Sequence, residues 1–174
     1  MIEDDHLLRG AFGYAGEFGH LQISSSPVRD YSGIPGTLEA IIRRDDLLEL
    51  FKLFSATDEE LEREILSATG PRVLKVLHQQ INDLGRGVGA LATIFNPQVV
   101  ILGGFLQSLF KLDSARLLGA LRANSIASAH EGLVVRSSQL GSAAVLIGAA
   151  ELAWTPLLEN PAGTELHAAV NEVG

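Results

Sequence analysis

Residues 13–39 read GYAGEFGHLQISSSPVRDYSGIPGTLE, and this stretch determines the fold that the sequence predicts. Glycine recurs every third residue at its start, which suits neither an ordinary helix nor an ordinary strand. Such glycines allow the backbone to turn tightly and to approach another group closely. Among them stand Glu17, His20 and Glu39. We expect these polar side chains to converge on a small ligand; the alternative is a surface loop whose charges are merely solvated.

The composition is that of a globular protein with a core of its own. The chain has 174 residues, of which 47% are hydrophobic and 20% charged, and this size suits one domain. Its formal net charge of −8 would repel a phosphate backbone. We therefore expect no binding of DNA through a broad basic face of this chain.

The cysteine count, the apolar runs and the N-terminus exclude further classes of protein and site. The chain contains no cysteine, which removes disulfides, thiol catalysis and cysteine-bound zinc. No apolar run approaches the roughly 18–20 residues of a membrane helix. The first residues, MIEDDHLLRG, are acidic where a signal peptide would be basic. The sequence thus predicts a cytoplasmic protein without a membrane partner.

The first half of the chain predicts short strands and then helices. Residues 1–10 predict a hairpin arm that turns at Asp4 and Asp5, and the alternation over 18–24 predicts a strand. Residues 24–36 are rich in serine, proline and glycine and predict an irregular loop, ordered by packing of Val28, Tyr31 and Ile34 or else mobile. Apolar spacing over 37–53 predicts either one helix or two shorter ones, and Thr57 predicts the cap of another helix.

The second half predicts an alternation of helices and strands, which indicates an α/β domain. A long helical pattern covers 72–95, and its glycines suggest close packing of another backbone. The run Val99–Leu102 predicts a strand buried on both faces, followed by Gly103, Gly104 and a helix. Asp113 or Ser114 should cap a helix over 115–129. A strand at 133–135 and a helix opening at 141 complete the pattern.

Several of these motifs resemble the signature of the ROK family of sugar kinases and sugar-responsive repressors. The resemblance is carried by the segments AGEFGH (15–20), SGIPGTLE (32–39), NPQVVILGG (96–104) and SAAVLIGAAELAWTPLLENPAG (142–163). It implies an actin-like, ribonuclease-H-like sheet with flanking helices. It further implies that residues 1–163 form the C-terminal half of such a protein and that 164–174 form a tail.

The resemblance also assigns candidate site residues. It implies that Glu17, His20 and Glu39 bind sugar hydroxyls. Family members hold a structural zinc with the histidine and three cysteines, but this chain has Asp30, Ser32 and Thr37 at the cysteine positions. We expect no zinc and no cofactor, because serine and threonine are poor zinc ligands. Gly103 and Gly104 correspond to a turn near the nucleotide in the kinases, although Phe105 disfavours close approach of phosphate.

Three functions remain open at this stage. The first is a sugar-sensing effector domain of a ROK-type regulator, which would bind a sugar or sugar phosphate and reach DNA only through an N-terminal domain missing here. The second is the C-terminal half of a ROK sugar kinase. We expect the chain itself to be inactive, since no aspartate lies in the family's catalytic motif and no upstream phosphate loop is present. The third is a ligand-free dimerisation module. In each case we expect a homodimer.

Overall fold

The computed structural model describes residues 1–161 of the chain. The chain divides into two compact units, Met1–Ser138 and Gln139–Gly174. Helices and a few short strands alternate in the first unit, in agreement with the predicted α/β class. The predicted tail, 164–174, lies outside the described residues.

The first unit begins with a small antiparallel hairpin. Strand β1 (Ile2–Glu3) pairs with β2 (His6–Leu7), and Ile2 lies opposite Leu7. The turn between them is made by Asp4 and Asp5, both with positive φ, at 48° and 62°. Two consecutive left-handed residues give the turn a twist that matches the flanking strands. The predicted hairpin is therefore confirmed.

The predicted strand over 18–24 is wrong. Phe18–His20 forms a 3-10 turn, in which the amide of His20 donates to the carbonyl of Glu17. Within 18–24 the strand pairing is limited to an isolated bridge between Gln22 and Thr37. Gly16, with a φ of 94°, bends the backbone immediately before the turn. The alternating residues 18–24 thus begin with a tight turn that carries His20 and do not form a strand.

Three helices follow, and threonine side chains cap the first and the third. Helix α1 (Leu38–Ile41) is capped by Thr37, whose hydroxyl accepts from the amide of Ala40. Helix α2 (Arg44–Leu50) is separate, as the two-piece prediction allowed. Helix α3 (Asp58–Ser67) has a full capping box, in which the Thr57 and Glu60 side chains each accept from the other residue's amide. Such caps stabilise a helix by about 1 kcal/mol.

Helix α4 (Pro71–Phe95) forms the centre of the unit, as the periodicity predicted. Its buried residues include Leu77, Ile81 and Leu84. Helix α6 (Ser114–Ala123) packs across its glycines. A Cβ on Gly85 would lie 2.5 Å from the Leu117 carbonyl oxygen, so only glycine permits this approach. The prediction of close backbone packing is confirmed.

The parallel pair of strands differs from the prediction in its burial. Strand β3 (Val99–Leu102) pairs in parallel with β4 (Val134–Ser137), and helix α5 (Gly104–Leu112) leaves the carboxyl end of β3. Leu102 is buried, but 64% of Ile101 is exposed. The expected burial on both faces is wrong within the first unit, because no other residues of Met1–Ser138 cover the Ile101 face.

The helix predicted over 115–129 is broken. Helix α6 begins after the Asp113 cap, as expected, but ends at Ala123, and α7 covers only Ala127–His130. Side chains at the break bond back to the helix: Asn124 donates to the Ala120 carbonyl and Ser125 donates to the Leu121 carbonyl. These bonds compete with continuation of the helical ladder.

The described part of the second unit is a 3-10 turn, Gly141–Ala143, followed by helix α8 (Ala144–Glu159). Small and apolar residues dominate α8, and Pro156 lies in its last turn. Within residues 1–161, none of the helices combines the length and apolar character needed to cross a bilayer.

Candidate functional site

The loop that carries the candidate site is closed by backbone hydrogen bonds. The amides of Ile23 and Ser24 both donate to the Gly36 carbonyl, and the Gly36 amide donates to Val28. Gly36 has a φ of 68°, and a Cβ there would lie 2.1 Å from the Ser24 carbonyl oxygen. No other residue fits this position. The glycine therefore brings residues 28–37 back against the His20 turn.

Asp30 orders the interior of this loop. Its side chain is completely buried, and Oδ1 accepts from the Ile34 amide at 2.9 Å. Oδ2 accepts from the Thr37 hydroxyl at 3.0 Å and lies 2.8 Å from Nδ1 of His20. The expected packing of Val28, Tyr31 and Ile34 is wrong, because all three are exposed by more than 40%. Hydrogen bonds to one carboxylate take the place of apolar packing.

His20 lies between Asp30 and Tyr31. One ring nitrogen, Nδ1, contacts Asp30, and the other, Nε2, lies 2.9 Å from the Tyr31 hydroxyl. The two rings meet edge to face with centroids 4.9 Å apart. One fifth of the His20 side chain is exposed. Both ring nitrogens are thus engaged, and the Nε2 side borders solvent.

Both candidate glutamates approach this histidine. Oε2 of Glu39 lies 3.9 Å from Nδ1 of His20, and 45% of the Glu39 side chain is exposed. Glu17 caps the 3-10 turn and is exposed, and its charge also acts on His20. The structure therefore brings Glu17, His20 and Glu39 together at the surface, where carboxylates can accept hydrogen bonds from a ligand.

The acids around His20 shift its titration. The hydrogen bond to Asp30 raises the pKa of His20 above 6.5, partial burial opposes this, and the charges of Asp30, Glu39 and Glu17 add to the rise. Burial alone would raise the pKa of Asp30, but hydrogen bonds from His20, the Ile34 amide and Thr37 lower it to about 2. Asp30 is consequently a carboxylate at neutral pH.

An open cleft of about 520 Å³ is lined by Glu39, Asp30 and Tyr31 among others, whereas Glu17 and His20 are not part of its wall. This is within the range of about 300–1,000 Å³ that is usual for small-molecule sites. Its wall carries both acids and bases, together with two aromatic rings: Arg29, Asp30, Tyr31, Glu39, Ile42, Arg43, Arg44, Asp45 and Phe105. A smaller apolar cleft of about 220 Å³ shares Glu39, Ile42 and Phe105 with it. Glu39 thus faces a polar space and an apolar one.

The four residues at the zinc positions do not fit a zinc ion. The Thr37 hydroxyl is engaged twice, as donor to Asp30 and as acceptor from the Ala40 amide. Ser32 is exposed, and a hydroxyl is a poor zinc ligand. Across residues 1–161, no group of three histidine, aspartate or glutamate side chains is arranged to hold a metal.

Gly103 and Gly104 lie at the carboxyl end of β3, as expected from the sequence. Gly103 caps α5, and Gly104 has a φ of 54°. A carboxylate oxygen of Asp58 lies 3.5 Å from where a side chain on Gly104 would begin. The Asp58 carboxylate offsets the charge of Arg44, so this ion pair adds no net positive charge that would attract a phosphate to the start of α5.

Sequence reasoning missed most of the cleft wall. Tyr31, Arg43, Arg44 and Phe105 line it, but none was assigned to the site. Tyr31 lies next to Asp30, a candidate zinc position, in the sequence, and this proximity could have marked it as a site residue. Arg44 is fixed by the Asp58 carboxylate and the Ala56 carbonyl, contacts across more than ten residues that no local pattern indicates.

Known proteins resemble this chain over most of its length. Residues 1–155 match the ROK family. A xylose repressor from Caldicellulosiruptor bescii is 28% identical over 92% of the chain and 44% of the repressor. A glucokinase from Streptomyces coelicolor is 26% identical over 90% of the chain and 56% of the enzyme. The chain thus spans about half the length of these relatives.

The solved structure of a ROK hexokinase from Thermus thermophilus matches the fold. It covers 89% of the chain and 52% of the hexokinase with a TM-score of 0.63 and 28% identity. The matches define a class of α/β proteins with an actin-like fold that includes both sugar kinases and transcriptional regulators. The chain belongs to the ROK family.

Proposed function

We propose that this chain is the sugar-sensing effector and dimerisation domain of a ROK-type transcriptional regulator. The observation that carries the proposal is that Glu17, His20 and Glu39 lie together at the surface, with Glu39 in the wall of an open cleft. A sugar offers several hydroxyl donors in a small volume. Charged acceptors bind such donors about twice as strongly as neutral acceptors do.

The regulator is favoured over the kinase by two features. The turn at Gly103 and Gly104 is followed by Phe105, which lines the cleft, and the ion pair of Asp58 and Arg44 near it adds no net positive charge. Both features disfavour a nucleotide phosphate there. DNA binding would belong to a separate domain, because this chain has a formal net charge of −8.

The alternative is the C-terminal half of a ROK sugar kinase. It is supported by the glucokinase and by the hexokinase structure, whose identities of 26% and 28% are close to that of the repressor. Phosphoryl transfer needs a base for the sugar hydroxyl and a cradle for metal and phosphate. We expect no turnover from this chain, so ATP and D-glucose should yield no ADP in a coupled assay.

Calorimetric titration of the full chain with D-xylose and D-glucose tests the sugar site. We expect saturable heat with at least one sugar. Replacement of Glu39 by Gln should weaken binding about tenfold or more, because a charged acceptor becomes neutral. Glu64→Gln on the exposed face of α3 is the matched control and should bind as the wild type does. No heat with either sugar, or equal affinity for Glu39→Gln, would contradict the proposal and favour the ligand-free module.

Self-association completes the proposal. The first unit leaves one side of the β3–β4 pair uncovered. On that side lie Val99, Ile101 and Val134, each more than 40% exposed. Parallel strands are normally covered on both faces. The mean hydropathy of the chain, +0.23, is also high for a domain that covers its own core. A second copy packed on this side would form a symmetric homodimer.

A further inference from the structure

The role of Asp30 follows from its hydrogen-bond partners. The carboxylate is fully buried and receives three contacts, from the Ile34 amide, the Thr37 hydroxyl and the His20 ring. An ionised carboxylate has no proton to donate and can only accept hydrogen bonds. Nδ1 of His20 must therefore carry the proton in the 2.8 Å contact with Asp30.

This contact determines what the other ring nitrogen can do. In a neutral imidazole with its proton on Nδ1, Nε2 is an acceptor. Its present donor is the Tyr31 hydroxyl at 2.9 Å. A ligand hydroxyl that replaced Tyr31 would find the same acceptor, held at a fixed angle by Asp30.

We propose that Asp30 is a positioning residue that holds the His20 ring in the Nδ1–H form, so that Nε2 accepts a hydrogen bond from a sugar hydroxyl. Asp30 occupies one of the positions at which family members would place a zinc ligand, and its hydrogen bonds perform the orienting task without a metal. The inference rests on the proposed sugar site for its ligand. The orientation of His20 can be measured independently.

The Asp30→Asn variant gives a sharp test, since an amide cannot satisfy all three partners. One side of the amide becomes a donor. If the NH2 group of the introduced asparagine pointed at the Ile34 amide, two donors would face each other. If it pointed at His20, Nδ1 would have to accept the hydrogen bond. The second arrangement is less costly, and it moves the ring proton to Nε2. We therefore expect Asp30→Asn to reverse the tautomer of His20.

The tautomer is read from the ring nitrogen shifts of the full chain labelled with 15N-histidine, at about pH 9, where free imidazole is neutral. His20→Gln identifies the His20 signals among those of the five histidines. The wild type should show Nδ1 protonated, and Asp30→Asn should show Nε2 protonated. Affinity for D-xylose or D-glucose should fall about tenfold or more in the variant, because Nε2 no longer accepts.

Asp113→Asn is the matched control. Like Asp30, Asp113 accepts from a backbone amide, but it does so as the cap of α6 and lies outside the site. It should leave the His20 tautomer and sugar affinity unchanged, which separates positioning from general loss of stability.

The possible outcomes are distinct. An Nε2–H form in the wild type, an unchanged tautomer in Asp30→Asn, or a reversed tautomer with undiminished affinity would each overturn the inference. If the wild type binds neither sugar, the proposed function fails, and the nitrogen shifts alone decide whether Asp30 orients His20. If Asp30→Asn does not fold, the wild-type tautomer still decides it.

Discussion

Gly19 lies directly against the side chain of Glu39. A Cβ on Gly19 would be 3.2 Å from Oε2 and 3.5 Å from Cβ of Glu39. The glycine thus leaves the space in which the glutamate reaches the cleft. Gly19, the third glycine of the opening motif, is therefore explained by the space that the Glu39 side chain needs and not by the backbone conformation of a turn.

Replacement of Gly19 by Ala should displace the Glu39 carboxylate by a few tenths of an ångström. We expect sugar affinity to fall about threefold to tenfold, less than the full loss of a charge-assisted hydrogen bond. Calorimetric titration measures this change. Gly132→Ala, where a Cβ meets nothing within 4 Å, is the control. Equal affinities of Gly19→Ala and the wild type would show that the position of Glu39 does not matter.

The packing of α4 on α6 predicts opposite effects for two glycines. Gly85→Ala would force a Cβ to within 2.5 Å of the Leu117 carbonyl oxygen and should destabilise the fold by about 1–3 kcal/mol or more. Gly119→Ala, on α6 with open space around it, should instead stabilise by up to about 1 kcal/mol through helix propensity. Urea unfolding of the two variants distinguishes them. A stable Gly85→Ala protein would contradict the observed approach of the helices.

The raised pKa of His20 predicts a pH dependence of stability. A group whose pKa is higher in the folded state stabilises the fold fully below its unfolded value, here 6.5, and loses that contribution as the pH rises through the folded value. The difference in unfolding free energy between the wild type and His20→Gln should therefore be largest near pH 6 and shrink above it. Urea midpoints measured across this range test the sign. A difference that grows with pH would show that the Asp30 hydrogen bond does not favour the charged ring.

The uncovered side of the β3–β4 pair predicts self-association. Light scattering at micromolar concentration should give twice the 18.5 kDa mass of one chain. Ile101→Lys should yield the monomer, because a buried unpaired charge is costly in an interface. Ile126→Lys, of similar exposure but at the start of α7, should remain dimeric. A wild-type mass of one chain would rule out this interface.

Local signals in the sequence predicted those elements that depend on local physics. Thr57 and Glu60 form their capping box within four residues, and the α4 periodicity reports one apolar face. The hairpin at Asp4 and Asp5 is likewise local. Such elements can be predicted because the groups that satisfy each other are close in the chain.

The interior of the site could not be predicted in the same way. The resemblance identified Asp30 only as a residue at a former zinc position, and nothing local in the sequence showed that it would be buried with partners at positions 20, 34 and 37. The exposed face of Ile101 was also missed, since an apolar run does not reveal whether anything covers it. The resemblance identified Glu17, His20 and Glu39 as a group. The residues that position these three side chains become evident only in the folded loop.

The contact between Tyr31 and Nε2 of His20 makes ligand capture an exchange rather than an addition. The nitrogen already has a hydroxyl partner within the chain, so an incoming hydroxyl would replace one bond with another of the same kind. The bond from a ligand hydroxyl to Nε2 must therefore be better than the Tyr31 bond that it replaces, while Glu17 and Glu39 supply further acceptors. In the empty site, Nε2 of His20 keeps a hydrogen-bond partner. A molecule without a correctly placed hydroxyl would therefore gain nothing by displacing Tyr31.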